Sequence, residues 1–249
     1  MGFLLNLFKK KQQLLPPADF SVLKTDLHSH LIPGIDDGAK DLDHSIKLIK
    51  GLKELGYQKI ITTPHTMSDY YKNTPEIILE GLKIVRDQLN VLNIEIEIEA
   101  SSEYFLDQHF MKLIEQDRLI PIAGEYILFE LSFMTEPKLL GEVIFQLQLK
   151  GFKPILAHVE RYTYWHQNYE KFQELKDKGV LFQLNINSLT GVYGESTKLA
   201  AEHMIEADQY EFIGSDCHHE GHIELMKKAS QFPKLHQVIK SKKLLNHTL

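Results

Sequence analysis

The segment Asp26-Leu27-His28-Ser29-His30 places two imidazoles two residues apart. Residues at that spacing on an extended strand point to one side, so His28 and His30 can aim at a common point in a chelating geometry. Two alternate histidines also occur as ordinary surface residues. This pair gains meaning because candidate ligands recur down the chain: Thr63-Pro64-His65, Ser102-Glu103, Phe129-Glu130-Leu131, Ala157-His158 and Ser215-Asp216-Cys217-His218 each fall at or near the end of a short apolar run. Glu130 stands between Phe129 and Leu131, where a carboxylate is costly to bury unless it is paired or bound to metal. A buried ion pair would explain Glu130 alone, and a hydrogen-bonded core histidine would explain His65 or His158 alone. Together, at successive strand ends, they point to metal coordination. Histidine is abundant, with 13 in the chain, and neutral imidazole is the commonest transition-metal ligand near neutral pH.

Such residues need a frame to bring them together. Strand-like runs cover residues 22–27, 59–62, 94–100, 126–131, 153–157, 181–185 and 211–214. Between them lie segments of helical period at 41–55, 75–92, 108–117, 136–150, 169–178, 197–207 and 222–232. Gly56, Gly151 and Gly179 each sit where a helix should close before a strand. Strand and helix alternating this often predict a mainly parallel sheet. Seven strands with no composition break predict a closed or nearly closed α/β barrel in one domain, residues 21–249, whose strand ends converge on one face. Cys217 alternates with Asp216 and His218 and is expected to point away from them.

The 249 residues are 43% hydrophobic and 25% charged, which excludes disordered, collagen-like and coiled-coil chains. A formal charge of −6 with no long basic run argues against a nucleic-acid partner. No apolar run approaches the roughly 18 residues of a membrane helix. The single cysteine excludes an intrachain disulfide and a Cys-rich zinc module, and it fits a reducing, cytoplasmic setting. Residues 1–20 are expected to form an N-terminal arm that frays up to Pro16-Pro17. Its charges follow its apolar patch, the reverse of a secretory signal. Phe3, Leu4, Leu7 and Phe8 could give the arm a peripheral contact with a membrane or a partner.

Several segments carry a resemblance. They are the run from Asp26-Leu27-His28-Ser29-His30 through Gly34-Ile35-Asp36-Asp37-Gly38-Ala39, then Thr63-Pro64-His65, Ser102-Glu103-Tyr104, Phe129-Glu130, Ala157-His158-Val159-Glu160-Arg161-Tyr162 and Ser215-Asp216-Cys217-His218. On these the chain resembles the polymerase-and-histidinol-phosphatase superfamily of metallophosphoesterases. Within it, the chain is most similar to the bacterial protein-tyrosine phosphatases of capsular and exopolysaccharide loci. The resemblance implies a distorted seven-stranded (β/α)7 barrel of TIM-like type holding three divalent ions. By the same resemblance His28, His30, Glu103 and Asp216 bind the first ion, Glu103 bridges to a second completed by Glu130 and His158, and Asp37, His65 and His218 hold the third. Three dications against four carboxylates leave a formal charge of about +2, suited to a phosphate dianion. Manganese is the first expectation for these ligands, with iron or zinc as alternatives.

The chemistry follows from the charge. Coordination lowers the pKa of water, supplies hydroxide as nucleophile and stabilises attacking and leaving oxygens, so no phosphoenzyme is required. Arg161, three residues after His158, is the candidate catalytic phosphate clamp. Cysteine-phosphatase chemistry is rejected because Ile223 stands where the thiolate loop needs arginine. Related phosphatases carry an arginine soon after the Ser-Asp-x-His element, where this chain has His219-Glu220-Gly221-His222. A protonated His222 is the candidate replacement, and Tyr70 and Tyr71 are candidate contacts for an aryl phosphate. The expected reaction is hydrolysis of phosphotyrosine on a protein, namely a tyrosine autokinase of polysaccharide export. The alternatives are a histidinol-phosphate or other small-molecule phosphatase of the same superfamily, and a non-enzymatic metal-binding protein.

Overall fold

The computed structural model describes residues 14–166 and 168–249. Three helices begin at a residue whose side chain caps them. The side chains of Asp41, Thr74 and Asp107 accept hydrogen bonds from the backbone N–H groups of His44, Ile77 and Phe110 at the starts of α1 (Leu42–Leu55), α2 (Pro75–Val91) and α3 (Gln108–Glu115), donors that a first helical turn leaves free. Next come α4 (Leu140–Leu149), α5 (Glu170–Asp177), α6 (Glu195–Glu206) and α7 (Glu220–Ala229). Gly56, Gly151 and Gly179 take positive φ just past α1, α4 and α5. The last helix, α8 (Pro233–Ile239), has seven residues, too few to show a helical period in the sequence.

The strands are β1 (Thr25–Asp26), β2 (Lys59–Thr62), β3 (His65–Thr66), β4 (Glu97–Ala100), β5 (Glu103–Phe105), β6 (Tyr126–Glu130), β7 (Lys153–Leu156), β8 (Leu181–Asn185) and β9 (Phe212–Gly214). They pair in parallel as β1-β2-β4 and as β3-β5-β6-β7-β8-β9. A parallel bridge between Ser29 and Cys217 brings the chain beyond β1 beside the chain beyond β9. The result is a mixed α/β fold built on a parallel half-barrel.

The strands expected at 59–62 and 94–100 end as β2 and β4, and two short strands that were not expected, β3 and β5, follow them after a break. Pro64 has no N–H to donate, so side-chain hydroxyls take over where the β2 to β3 and β4 to β5 runs break. Thr62 Oγ1 accepts from the Leu31 N–H and donates to the Ser29 carbonyl, each at 2.9 Å, and Ser102 Oγ donates to the Pro64 carbonyl at 2.7 Å. The strand expected at 22–27 is found only as β1. Asp19, accepting from Ser21 N–H at 2.8 Å, caps a 3-10 turn over Phe20–Leu23 that takes the preceding residues out of the sheet.

Alternate residues of β6 divide between two cores. Ile127 and Phe129 join the large cluster, whereas Tyr126 and Leu128 join a smaller one with Leu27, Ile61, Ile155, Ala157 and Phe212. Within the expected arm, Leu15 and Ala18 donate backbone hydrogen bonds to Gln231 and Ser230 at 2.8 and 2.9 Å. Phe3, Leu4, Leu7 and Phe8 lie outside the described residues. Among the described residues no helix is long and apolar enough to cross a membrane.

Candidate metal centre

The candidate ligands lie in or just beyond the strands, except Asp37, which sits in the turn after His30. Glu130 follows Leu128 in the alternation of β6 and therefore turns toward the smaller cluster's side at the C-terminal end of the strand. His65 and Glu103 are register partners on β3 and β5. Alternation alone would send His158 to the side of Leu156, away from the site. Instead His158 and Asp216, just past β7 and β9, take φ of 32° and 48°, a left-handed conformation that non-glycine residues seldom adopt.

The side chains then converge. His28 Nε2 and His30 Nε2 lie 3.3 Å apart, as the two-residue spacing predicts. Glu103 Oε2 is 3.2 Å from His28 Nε2 and 3.4 Å from His30 Nε2, and Asp216 Oδ1 is 3.5 Å from both. On its other side Glu103 Oε1 meets His158 Nε2 at 2.8 Å, and Glu130 Oε2 lies 3.9 Å from the same nitrogen. His65 Nδ1 faces Glu130 Oε1 at 3.0 Å and Glu103 Oε2 at 3.3 Å. Asp37 Oδ1 sits 3.5 Å from His65 Nε2 and 3.4 Å from His218 Nε2. Among the described residues Glu103 is thus the one carboxylate in contact with four imidazoles.

The cluster is charged although it is buried. Burial opposes ionisation of Glu103 and Asp216, yet the facing imidazoles, His28 foremost, hold both carboxyls well below the usual range. Burial likewise works against charge on His65 and His30. The facing carboxylates together outweigh it, Glu103 foremost among them at His65, which is raised to about 9, and Asp36 foremost at His30, which stands well above an ordinary histidine. Glu103 Oε2, Glu130 Oε1 and His65 Nδ1 are buried with no aligned hydrogen-bond partner, and orphaned buried groups are what an ion would satisfy. Oxygen and imidazole donors without thiolate suit a divalent cation of the manganese, iron and zinc kind.

Neighbouring residues set the tautomers. His30 Nδ1 donates to Asp36 Oδ2 at 2.8 Å, which leaves Nε2 free for the site. His28 Nδ1 donates at 3.0 Å to Gln183 Oε1, which also accepts from His158 N–H at 2.9 Å. Such outer contacts orient metal-binding histidines and raise their basicity. Gly38 permits the close approach of the Asp36-Asp37 turn, since a Cβ there would lie 2.2 Å from the His30 carbonyl oxygen. Sequence reasoning missed the parts played by Asp36 and Gln183. Gln183 carried the same signal as Glu130, a polar residue inside an apolar strand.

Above this cluster opens a cavity of about 330 Å³ lined by Asp37, His65, Glu103, Glu130, Phe133, His158, Arg161, Tyr193, Asp216, His218, His219 and His222. His28 and His30 are fully buried. Arg161 reaches the wall and donates through Nη1 to Asp216 Oδ2 at 3.0 Å. His222 lines the cavity, and burial foremost lowers its pKa to about 4. Tyr70 and Tyr71 do not line the cavity: Tyr70 is 80% exposed, and Tyr71 stacks on His65 at 5.5 Å. Tyr104 and Tyr162 are buried in the core. The aromatic walls are Phe133 and Tyr193 instead, for which the sequence held no local signal.

A family described as capsular polysaccharide synthesis, CpsB/CapC, matches residues 24–242. The chain belongs to the CpsB/CapC family. Tyrosine-protein phosphatase YwqE of Bacillus subtilis (strain 168) is 30% identical over 194 residues, 78% of this chain and 76% of its own. Tyrosine-protein phosphatase CpsB of Streptococcus pneumoniae is 26% identical over 200 residues, 78% of this chain and 82% of its own. A solved structure from work on YwqE of B. subtilis and CpsB of S. pneumoniae, described as unique metal-dependent tyrosine phosphatases, superposes with a TM-score of 0.78 at 27% identity, covering 90% of each chain. A histidinol phosphate phosphatase of Lactococcus lactis superposes with a TM-score of 0.53 at 14% identity, covering 83% of this chain and 93% of that one, a likeness of fold alone.

In this member of the CpsB/CapC family the lone thiol is turned away from the cavity. Cys217 is buried in the large core cluster, its Sγ lies 3.9 Å from the His219 carbonyl oxygen, and burial pushes its pKa well above the ordinary value. A neutral, enclosed thiol is no nucleophile. Cys217→Ser is therefore expected to keep at least about half of the wild-type turnover, the packing change costing stability rather than rate. A variant with intact ion content and no turnover would contradict this.

Proposed function

We propose that this chain is a metal-dependent tyrosine-protein phosphatase whose substrate is phosphotyrosine on a bacterial tyrosine autokinase of the polysaccharide export apparatus. The observation that carries the reading is the convergence of Glu103, Glu130, His158, Asp216, His65, His218 and Asp37 with Arg161 around one cavity, above His28 and His30. We assign His28, His30, Glu103 and Asp216 to a first ion, Glu103, Glu130 and His158 to a second, and Asp37, His65 and His218 to a third, with manganese the first choice and iron or zinc the alternatives. The groupings His28-Glu103-His158 and His65-Glu103-Glu130 support Glu103 as a bridge, because both include it. With β2 and β3 taken as one broken strand and β4 and β5 as another, the fold is read as the distorted seven-stranded barrel, one domain over residues 21–249 behind an arm at 1–20. A cytoplasmic site of action accords with the single enclosed thiol.

Bound divalent ions supply a lowered water pKa and Lewis acidity toward phosphoryl oxygens. The protein's own groups do the rest. Asp36 and Gln183 hold the rings of His30 and His28 in their working tautomers. Arg161, anchored on Asp216 by one N–H, presents its other donors to the phosphoryl group, where a planar fork gives a bidentate contact. Phe133, which lines the cavity and is 41% exposed, offers an apolar face for an aryl leaving group.

Steady-state kinetics tests this directly. The kcat/KM is expected to be higher for phosphotyrosine peptides than for phosphoserine peptides or histidinol phosphate, and chelation is expected to abolish it until manganese is restored. Equal or better efficiency on histidinol phosphate with the same ion and pH would move the assignment to a small-molecule phosphatase. Inactivity on every monoester at full ion content would favour a non-enzymatic metal protein.

A further inference from the structure

Arg161 meets two aromatic rings. Its guanidinium carbon lies 4.6 Å from the centre of the Phe133 ring and 4.4 Å from that of Tyr193, within the range of cation–π attraction. The three residues come from three separate loops. Phe133 follows β6, Arg161 follows β7, and Tyr193 follows the 3-10 turn Ile186–Thr190 beyond β8. All three line the cavity.

Both rings are themselves held in place. Phe133 packs on His158 and Tyr162 with centroids 5.5 and 5.8 Å away, and Tyr193 stands edge-on to His222 at 6.5 Å. Arg161 makes no hydrogen bond to the Tyr193 hydroxyl, so the ring and not the hydroxyl is what Arg161 uses. Among the described residues the guanidinium donates to one acceptor, Asp216 Oδ2. One hydrogen bond leaves a planar group free to swing about it, and an arginine side chain has large rotamer freedom to lose. Rings over the guanidinium remove that freedom without occupying any N–H donor. The donors not bonded to Asp216 stay available to an acceptor in the cavity, already oriented, which is the condition for strong electrostatic stabilisation.

We propose that Phe133 and Tyr193 are positioning residues that hold Arg161 ready for the phosphoryl group. This rests on the reading of Arg161 as the phosphate contact. The metal-loaded full chain, titrated calorimetrically with inorganic phosphate, gives a readout independent of turnover. Tyr193→Leu and Phe133→Leu are each expected to weaken phosphate binding about 10-fold, with ion content and thermal midpoint unchanged. Tyr193→Phe, which keeps the ring, is expected to restore affinity to within about 2-fold. In an Arg161→Ala background neither leucine substitution should weaken binding further, because the group they orient is gone.

Unchanged affinity in both leucine variants overturns the proposal and leaves Arg161 standing as the phosphate contact. So does a loss that persists in full in the Arg161→Ala background, since the rings would then act on something else. Phe133→Leu, at a partly exposed position, keeps the test available if Tyr193→Leu does not fold. Wild-type phosphate affinity in Arg161→Ala itself overturns both readings.

Discussion

Replacement of Glu103 by alanine or glutamine is expected to lower turnover by about 10³-fold or more, the loss of several kcal/mol of transition-state stabilisation. It is also expected to reduce ion content by more than any other single ligand change. The asymmetry comes from position. Glu103 Oε2 reaches His28, His30 and His65 while Oε1 reaches His158, so one side chain touches all three proposed ligand groups. His65, by contrast, meets Asp37, Glu103 and Glu130 at the edge of the cluster, and His65→Ala should cost one ion and less activity. Glu103→Gln is the cleaner variant. It preserves volume, whereas alanine leaves buried imidazoles facing a void and adds a folding penalty of about 3 kcal/mol or more. Elemental analysis beside single-turnover kinetics checks both halves of the expectation. A Glu103→Gln protein with full ion content and wild-type turnover would remove Glu103 from the centre of the site.

The parts of this site that were legible in the sequence are those that depend on short-range geometry. A two-residue spacing makes His28 and His30 meet and turns Cys217 away from Asp216 and His218. A carboxylate inside the apolar run of β6 marks Glu130 as a residue that needs a partner. The strands were legible as apolar runs but their breaks were not. The short strand β5 beyond Ser101-Ser102 had no signal of its own, because the break before it is held by the Ser102 hydroxyl bonding the Pro64 carbonyl, a contact between residues far apart in sequence. Asp36 was hidden by its neighbour, since in Asp36-Asp37-Gly38 nothing local says which carboxylate faces His30 Nδ1 and which reaches His65 and His218. Phe133 and Tyr193 lay beyond any spacing argument. Each is an ordinary aromatic in its own loop, and only the closing together of the β6, β7 and β8 ends gives them a common neighbour.

Arg161→Ala is expected to lower turnover on an aryl phosphate by about 10²- to 10³-fold, the cost typical of removing one preorganised donor from a developing oxyanion. Ion content should stay intact. Arg161 touches Asp216 Oδ2, whereas the histidines gather at Oδ1, and Asn185 Nδ2 still donates to Oδ2 at 2.8 Å. Asp216 thus remains oriented without the guanidinium. This separates the two effects that a mutation here could have. If Arg161 served only as a counter-ion, its removal would loosen Asp216, ions would be lost and turnover would fall in proportion to ion content. If it contacts the phosphoryl group, turnover falls at constant ion content and inorganic phosphate becomes a poorer inhibitor. Arg161→Lys should recover little, because an ammonium on a flexible stem keeps the charge but lacks the planar fork that lies against Phe133 and Tyr193. Lysine restoring full turnover would show that charge alone suffices, and a drop that tracks ion loss would return Arg161 to a structural ion pair.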